Sequence, residues 1–332
     1  MAPGSGAGAP GSGYTRRRFL AGLGMLAGAM ALVPAIERAR RPAASVEAGR
    51  PLLGTWVRVV ARHPDRERAA RAVARAFAAI REVDAQMSVH REDSDLTRVN
   101  RAAGVAAVRV PAALATVVAS ALDAARRSQG LYDPTVLALM RAYGFYGPRR
   151  EAPPTAAEVD RALACTGWGG VALDRAAGTL ALRGRGAGLD LGSIGKGWAV
   201  DVGAAALRAE GVHSGLVDAG GNVYALGTPG DGADGWSIAA LHPLTGATTR
   251  VFVLRDAAVA TSSNCEHFVT LAGARFGHIL DARRGVPAEG HLAVSVVAKT
   301  GLDSDRLSTT AFVLGPSRFR GWPEALDVFY QG

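Results

Sequence analysis

The sequence predicts an α+β protein in which one domain, residues 45–332, combines a mixed or antiparallel sheet with flanking helices. Amphipathic segments with helical spacing dominate the first half of that domain, whereas short alternating runs bounded by Gly and Asp turns dominate the second half. No internal repeat and no second composition regime divides the chain. Helices first and strands later therefore favour a single α+β unit.

The composition indicates a globular protein, because 48% of the residues are hydrophobic and 20% are charged. The net charge is +9, but residues 1–44 hold six arginines against one glutamate, which is 6 − 1 = +5. Only 9 − 5 = +4 remains for the rest of the chain, where aromatic residues are few and no basic–aromatic stripe occurs. We therefore predict no nucleic-acid partner.

The N-terminal segment has the features of an export signal. Residues 1–14 are rich in Gly, Ala, Pro and Ser and are predicted to be disordered, and TRRRFL follows at residues 15–20. A Gly/Ala-rich apolar run then extends to residue 36, about 17 residues that are short and weakly hydrophobic for a membrane span. This pattern resembles a twin-arginine signal cleaved between residues 35 and 45, and a single membrane anchor is the alternative. We predict export to the periplasm or extracytoplasmic face, with membrane contact only through the signal.

The first half of the predicted domain begins with a strand at residues 50–60 that contains a Gly-Thr bend. A helix follows at residues 65–89, because apolar residues recur there at helical spacing. The segment MSVHREDSDLTRVN, residues 87–100, is dense in short polar side chains that favour a capped loop between helices. A second amphipathic helix is predicted at residues 111–129 and ends at Gly130.

The middle of the chain alternates short elements with turns. Asp133 precedes a proline that starts a new turn, and residues 148–154 form a surface linker. Thr155 and Glu158 have the spacing of a capping box, which predicts a short helix at residues 155–168. A hairpin is predicted at residues 171–182, with its turn at residues 174–178.

The segment LDLGSIGKGWAVD, residues 189–201, carries the first chemical signal. An apolar strand ends at Asp190, a glycine-containing loop follows, and a helix is predicted at residues 198–210. Such a loop can direct backbone N–H groups and the positive end of the helix at an anion. Lys196 lies in this loop and is one of only two lysines among 38 basic residues, which indicates a need for a compact ammonium. An ordinary glycine turn before a helix is the alternative.

The second half of the chain is mostly strands. Residues 215–227 read as a strand interrupted at Asp218 and at the Gly-Gly-Asn sequence, which marks a bulge or the close approach of a ligand. A strand and an Asp/Gly turn are predicted at residues 277–287, and a helix entered through Asp303 and Ser304 at residues 301–315. Further strands are predicted at residues 236–242, 249–255, 258–263, 267–272 and 292–300.

Seven motifs in register resemble the ApbE family of flavin transferases, the FAD:protein FMN transferases. In chain order they are RPLLGT, MSVHREDSDLTRVN, LYDPTVLALM, LDLGSIGKGWAVD, VDAGGNVYALG, HILDARRGVP and DSDRLSTTAFVLG, spread over residues 50–315. The resemblance implies a single ApbE-like, T-fold-related domain. It also implies a Mg²⁺-dependent reaction that cleaves FAD, the flavin donor, and attaches FMN through its phosphate to a Ser or Thr of an acceptor redox protein, releasing AMP.

Three other functions stay open at this point. Some family members hydrolyse FAD to FMN and AMP, so a Mg²⁺-dependent FAD pyrophosphatase is the nearest alternative. An exported protein that binds flavin without catalysis is the second, and a secreted binding protein without flavin is the third. No obvious acceptor motif occurs in this chain, so we expect the acceptor to be a different protein.

The resemblance also implies the site residues. It assigns a magnesium site to Asp305, Thr309 and the carbonyl of Ser193, with Ser308 as a further candidate. It assigns FAD binding to Leu53, His90, Leu131, Tyr132, Asp133, Asp190, Lys196 and Leu280. Two of the implied residues are catalytic: His278 would deprotonate the acceptor hydroxyl, and Lys196 would neutralise the pyrophosphate.

Ordinary structural roles remain open for two of these residues. Asp305 has the alternatives of a solvated helix charge or a partner for a helix N-terminal dipole, and His278 has that of a hydrogen-bonded core histidine. The sequence also departs from the family at His90, where Tyr is more usual, at Leu53, where Met is more usual, and at the DARRG turn after His278. None of these departures removes an implied metal ligand.

Overall fold

The computed structural model describes residues 45–230 and 232–332, so the disordered leader and export signal predicted for residues 1–44 lie outside the described residues. The fold belongs to the α+β class, as predicted. Among the described helices, none is both long enough and apolar enough to cross a membrane.

The secondary structure of the described part begins with a hairpin and ends with a strand. The strands are β1 (Ser45–Leu52), β2 (Thr55–Arg62), β3 (Val108–Arg109), β4 (Val171–Asp174), β5 (Thr179–Leu182), β6 (Ser214–Ala219), β7 (Asn222–Leu226), β8 (Trp236–Leu241), β9 (Thr248–Leu254), β10 (Ala257–Ser262), β11 (Phe268–Leu271), β12 (Ala274–Gly277), β13 (Leu280–Asp281), β14 (Val286–Pro287), β15 (Ala293–Ala298) and β16 (Ala325–Gln331). The helices are α1 (Arg66–Met87), α2 (Asp95–Arg101), α3 (Ala112–Arg127), α4 (Leu137–Ala142), α5 (Ala156–Ala164), α6 (Gly195–Ala209) and α7 (Gly301–Arg318), with a 3₁₀ turn at Trp168–Gly170.

A seven-stranded sheet in the order β1-β2-β6-β7-β10-β15-β16 forms the centre of the fold. Every neighbouring pair in it is antiparallel, so of the two predicted sheet types the antiparallel one is confirmed. Side chains alternate between its faces, as β2 shows: Val57 and Val59 belong to the helix-side core, whereas Val60 belongs to a second core under the β8–β9 hairpin. Helices and hairpin thus cover opposite faces of the sheet.

Helix α1 follows the predicted pattern. Its N-cap is Asp65, whose carboxylate accepts hydrogen bonds from two backbone N–H groups of the first turn. Val73, Phe77 and Ile80 are buried in the helix-side core together with apolar residues of α3, α6 and α7. The capping box predicted for Thr155 and Glu158 is also present, at the start of α5.

Two glycine-containing turns differ from the prediction. Leu53 and Gly54, with φ of 55° and 70°, join β1 and β2 into a hairpin where one strand was predicted. Gly220 and Gly221, with φ of 62° and 89°, join β6 and β7, so the predicted interrupted strand is a hairpin too. Two-residue turns of this kind need positive φ, which glycine adopts freely and leucine does not. A Cβ at Gly220 would overlap the side chain of Thr55, so the two turns lie against each other.

Other helix and strand boundaries also differ from the predicted ones. Helix α6 begins at Gly195 instead of residue 198, which places Lys196 in its first turn and not in the preceding loop. Helix α7 is capped by Thr300 instead of Asp303 and Ser304, and its helical geometry breaks at Gly315, where φ is 70°. Within residues 277–287 the strands β13 and β14 have two residues each. The elements that were not predicted are α2, α4, β3, β12, β16 and the 3₁₀ turn at Trp168–Gly170.

Candidate functional site

A cavity of about 410 Å³ opens beside the N-terminal end of α6 and the face of α7 that carries Asp305 and Thr309. Among its lining residues are eleven that the sequence implicated: Leu53, His90, Tyr132, Asp133, Asp190, Ser193, Lys196, His278, Leu280, Asp305 and Thr309. Two implicated residues, Leu131 and Ser308, are buried and do not line it. Residues from the first and last parts of the described chain therefore meet at one cavity.

The glycine-rich loop and the carboxylate of α7 meet directly. The backbone N–H of Gly197 donates to Oδ2 of Asp305 at 2.8 Å, although the two residues are 108 positions apart. The helices cross so closely that a Cβ at Gly197 would overlap the carbonyl oxygen of Gly301 and lie 2.6 Å from Cβ of Asp305. The close contact fixes Asp305 against the start of α6, and it contradicts the alternative of a solvated helix charge.

Replacement of Gly197 by Ala is expected to destabilise the fold by about 3 kcal/mol, the upper end of the usual cost of overpacking, because the clash is with backbone and cannot be relieved by a side-chain rotation. Gly195→Ala is the matched control, since a Cβ there would have no described atom within 4 Å. We expect that control to leave the unfolding free energy unchanged or to raise it by up to about 1 kcal/mol. Chemical denaturation of both variants measures the difference, and equal stabilities would contradict the close crossing.

Hard oxygen donors converge where α6 and α7 meet. Asp305 and Thr309 lie four residues apart on α7 and both line the cavity. Gly197 is the third residue of α6, so its N–H has no partner within the helix and donates to Asp305 instead. Among the described residues no backbone N–H donates to the Ser193 carbonyl, which precedes the helix. A carboxylate, a hydroxyl and an unpaired carbonyl fit a divalent cation that prefers oxygen ligands.

Neighbouring hydroxyl groups form hydrogen bonds with the α7 part of this donor set. Ser262 at the end of β10 shares hydrogen bonds with Ser308 at 2.8 Å and with Thr309 at 2.9 Å. The hydroxyl of Ser308 also lies 2.9 Å from the carbonyl of Asp305, to which it donates. Ser308 is fully buried, so the structure places it behind the donors and not at the cavity surface.

Asp190 is occupied by two partners within the protein. Its Oδ1 accepts from the backbone N–H of Gly192 at 2.8 Å, and its Oδ2 accepts from the phenol of Tyr146 at 2.7 Å. Burial and the neighbouring carboxylate raise the pKa of Tyr146 well above its usual value. The ring of His90 meets the Tyr146 ring edge-on at 5.1 Å between centroids. Asp190 therefore fixes both the glycine-rich loop and an aromatic corner of the cavity.

The segment that contains Leu131, Tyr132 and Asp133 forms an internal brace. Asp133 accepts from the N–H and hydroxyl of Thr135 and from the N–H of Trp168, at 2.6 to 2.8 Å. Burial nevertheless raises the pKa of Asp133. The phenol of Tyr132 accepts from the Ser193 hydroxyl at 3.1 Å, and burial raises the pKa of Tyr132 too. The backbone carbonyl of Leu131 accepts from Ala282.

Lys196 supplies positive charge at this end of the cavity. Its Nζ lies 2.9 Å from the carbonyl oxygen of Gly192 and donates to it, and the side chain stays accessible. The first turn of α6 carries the positive end of the helix dipole beside this ammonium. The two together suit a phosphate group.

His278 is held by one backbone carbonyl. Its Nδ1 lies 3.0 Å from the carbonyl oxygen of His267, which also accepts from the His278 backbone N–H at 3.2 Å. Because a carbonyl only accepts, Nδ1 must carry the proton, which leaves Nε2 as the acceptor. Burial, the His267 ring 5.3 Å away and Lys196 lower the pKa of His278 to about 4. The imidazole is therefore neutral at pH 7.

Sequence reasoning missed several residues that line the same cavity: Asp84, Tyr146, Thr261, Ser262, Ser263, Glu266 and His267. Asp84 lies near the end of α1, and the spacing of the apolar residues that predicted this helix gave no reason to single it out. Burial raises the pKa of Asp84. The polar end of the predicted strand 258–263 was a usable signal for Thr261, Ser262 and Ser263. The approach of Tyr146 and His267 depends on tertiary contacts alone.

Comparison with known proteins gives a consistent result. The ApbE family model matches residues 53–329. The FAD:protein FMN transferase of Treponema pallidum is 34% identical over 274 residues, covering 78% of this chain and 75% of the relative. That of Vibrio cholerae is 31% identical over 254 residues, 75% of each chain. The solved flavin transferase ApbE from Vibrio cholerae aligns with a TM-score of 0.76 at 26% identity, covering 88% of this chain and 98% of that one. This chain belongs to the ApbE family.

Proposed function

We propose that this protein is an FAD:protein FMN transferase that moves FMN from FAD to a Ser or Thr of an acceptor protein and releases AMP. The observation that carries the proposal is one cavity lined by the oxygen donors of Ser193, Asp305 and Thr309, by the ammonium of Lys196 and by the imidazole of His278. Each of these groups serves one part of phosphoryl-type transfer from a dinucleotide.

The pyrophosphate of FAD would bind beside Lys196 and the N-terminal end of α6. There the ammonium and the helix dipole neutralise the charge that accumulates on the departing AMP phosphate. The apolar part of the lining, which includes Leu53, Met87 and Leu280, provides surface for the aromatic ends of FAD. Tyr146, fixed by Asp190, adds an aromatic wall near His90.

The cation in this proposal is Mg²⁺, held by the Asp305 carboxylate, the Thr309 hydroxyl and the Ser193 carbonyl. When bound, it supplies Lewis-acid polarisation of the phosphate oxygens. The protein's contribution is to present the three donors together. The Gly197 N–H bonds to Oδ2 of Asp305, so Oδ1 of the same carboxylate does not take part in that hydrogen bond.

In the transfer step, the acceptor hydroxyl oxygen attacks the phosphorus of the FMN part. Its proton passes to Nε2 of His278, and the bond between that phosphorus and the bridging oxygen of the AMP part breaks. The carbonyl of His267 holds the Nδ1 proton of His278 throughout, so the ring keeps the tautomer that accepts at Nε2. AMP leaves with the bridging oxygen, and His278 then loses its proton to water.

The test is to incubate the full chain with FAD, MgCl₂ and candidate acceptor redox proteins and to measure the intact mass of each acceptor. An increase equal to FMN minus one water on a Ser or Thr supports the proposal. Free FMN and AMP formed without acceptor would support the pyrophosphatase instead. Bound but unchanged FAD would favour a flavin-binding protein, and no binding of FAD would contradict all three functions.

We further propose that the protein acts outside the cytoplasm and is exported by the twin-arginine route. The sequence TRRRFL before a weakly apolar run supports this. Replacement of Arg16 and Arg17 by Lys, which keeps the charge, is expected to retain the protein in the cytoplasm. Cell fractionation with immunodetection checks this, and unchanged export would contradict the route.

A further inference from the structure

Helices α6 and α7 each place a carboxylate at the N-terminal end of the other. Asp305 of α7 accepts from the backbone N–H of Gly197 in the first turn of α6, at 2.8 Å. In the opposite direction, Asp201 of α6 accepts from the backbone N–H groups of Gly301 and Leu302, at 2.6 and 2.8 Å. The first of these contacts belongs to the candidate cation site, whereas the second has no assigned role.

Asp201 does not replace the ordinary cap of α7. Thr300 is the N-cap, and its hydroxyl accepts from the Asp303 N–H at 3.0 Å and donates to the Asp303 carboxylate at 2.7 Å. The Ser304 N–H donates to the Thr300 carbonyl, which leaves the N–H groups of Gly301 and Leu302 for Asp201. The first turn of α7 is thus bonded half to its own cap and half to α6.

The crossing of the two backbones makes this connection rigid. A Cβ at Gly301 would overlap the Gly197 carbonyl oxygen and lie 3.1 Å from Oδ1 of Asp201. Asp201 is part of the motif that predicted the glycine-rich loop, yet it does not line the cavity. Burial raises the pKa of Asp201 to about 6 despite its two N–H bonds, so keeping this carboxylate charged at pH 7 disfavours folding. A helix cap alone does not require a carboxylate whose burial disfavours folding.

We propose that Asp201 is a positioning residue for the cation site. By holding the first turn of α7 on α6, it sets Asp305 and Thr309 at the spacing from the Ser193 carbonyl that lets all three bind one ion. This inference rests on the proposed function for the identity of the cation, Mg²⁺. Its distinguishing feature is the bridge between the two helices, which Thr300 does not provide.

The experiment compares Asp201→Asn with Thr300→Ala in the full chain. Both substitutions remove hydrogen bonds from the N-terminal end of α7, but only Asp201→Asn weakens the connection between α7 and α6. Titration calorimetry with MgCl₂ is expected to show about tenfold weaker binding for Asp201→Asn, the size typical of a residue that orients metal ligands. Thr300→Ala is expected to weaken binding by less than about twofold, because its bonds lie within α7. Thermal unfolding of both variants gives the accompanying loss of stability.

A second readout separates positioning from general damage. Saturating MgCl₂ is expected to restore kcat for FMN transfer by Asp201→Asn to within about threefold of wild type, because the ligands themselves are intact. Asp201→Ser, whose shorter side chain cannot bind both N–H groups, is expected to bind Mg²⁺ no more tightly than Asp201→Asn. This variant also serves if Asp201→Asn fails to fold.

Three results would overturn the inference. Wild-type Mg²⁺ affinity in Asp201→Asn would do so, and so would equal weakening by Thr300→Ala at an equal loss of thermal stability. Wild-type protein that binds no Mg²⁺ yet transfers FMN would contradict the metal assignment, and this inference with it, while leaving the transferase activity standing. Failure of the inference is thus distinguishable from failure of the proposed function.

Discussion

Replacement of Asp305 by Asn is expected to lower kcat/KM for FMN transfer by about a thousandfold, which corresponds to roughly 4 kcal/mol of lost transition-state stabilisation. The substitution is nearly isosteric, and the amide oxygen can still accept from the Gly197 N–H that the carboxylate now binds at 2.8 Å. The crossing of α6 and α7 is therefore kept. What is lost is the only carboxylate in the donor set with Thr309 and the Ser193 carbonyl.

The measurement is the rate of FMN attachment to the acceptor across a range of MgCl₂ concentrations, with thermal unfolding as the check on the fold. Asp327→Asn is the matched control, because Asp327 lies on β16, forms an ion pair with Arg250 at 2.6 Å and does not line the cavity. We expect the control to retain wild-type activity. An Asp305→Asn rate within tenfold of wild type would exclude Asp305 as an essential cation ligand.

The convergence of α6 and α7 was predictable from the sequence because its parts are local motifs. The glycine loop before α6 and the Asp305–Thr309 pair on α7 each have a recognisable spacing, and the family resemblance brought them together. The structure confirms the meeting through the bond between Gly197 and Asp305. The start of α6 was misplaced because glycine disfavours a helix interior. In the structure, the close packing of Gly197 on Gly301 overrides that preference.

Other features could not be read from local patterns. The β1–β2 hairpin turns at Leu53, and a leucine at positive φ gives no turn signal. Tyr146 lies in a segment interpreted as preceding a surface linker, yet its phenol reaches Asp190, 44 residues further along the chain. His267 was assigned to an ordinary strand, but its carbonyl sets the tautomer of His278. Each of these roles exists only after distant segments have packed together.

The second large effect is expected for His278. Replacement by Asn should lower kcat for FMN transfer by about 10²–10⁴-fold, the usual contribution of a general base. Affinity for FAD should change little, because the imidazole acts on the acceptor hydroxyl. His242→Asn is the matched control: His242 caps a turn beyond β8 through the N–H groups of Leu244 and Thr245, which an Asn side chain can also bind. Kinetics at saturating acceptor and FAD distinguish the two variants.

The pH dependence gives an independent check on His278. Since its folded pKa is about 4, lowered from its usual value of 6.5, the base is neutral and competent at all pH values well above 4. The acid limb of kcat/KM for the free enzyme should therefore fall near pH 4, and not near 6.5 as for a solvated histidine. An acid limb near 6.5 that vanishes in His278→Asn would retain His278 as the base but contradict the buried environment.

The same pKa also has a consequence for stability. The unfolded chain binds a proton at His278 below about pH 6.5, whereas the folded chain binds one only below about pH 4. Stability contributed by the neutral form is thus complete above 6.5 and is lost as the pH falls towards 4. His278→Asn removes this term, so its unfolding free energy relative to wild type should rise as the pH falls through that window. A difference that does not vary with pH would mean that His278 has the same pKa in the folded and unfolded chain, which would contradict the buried environment inferred for its imidazole.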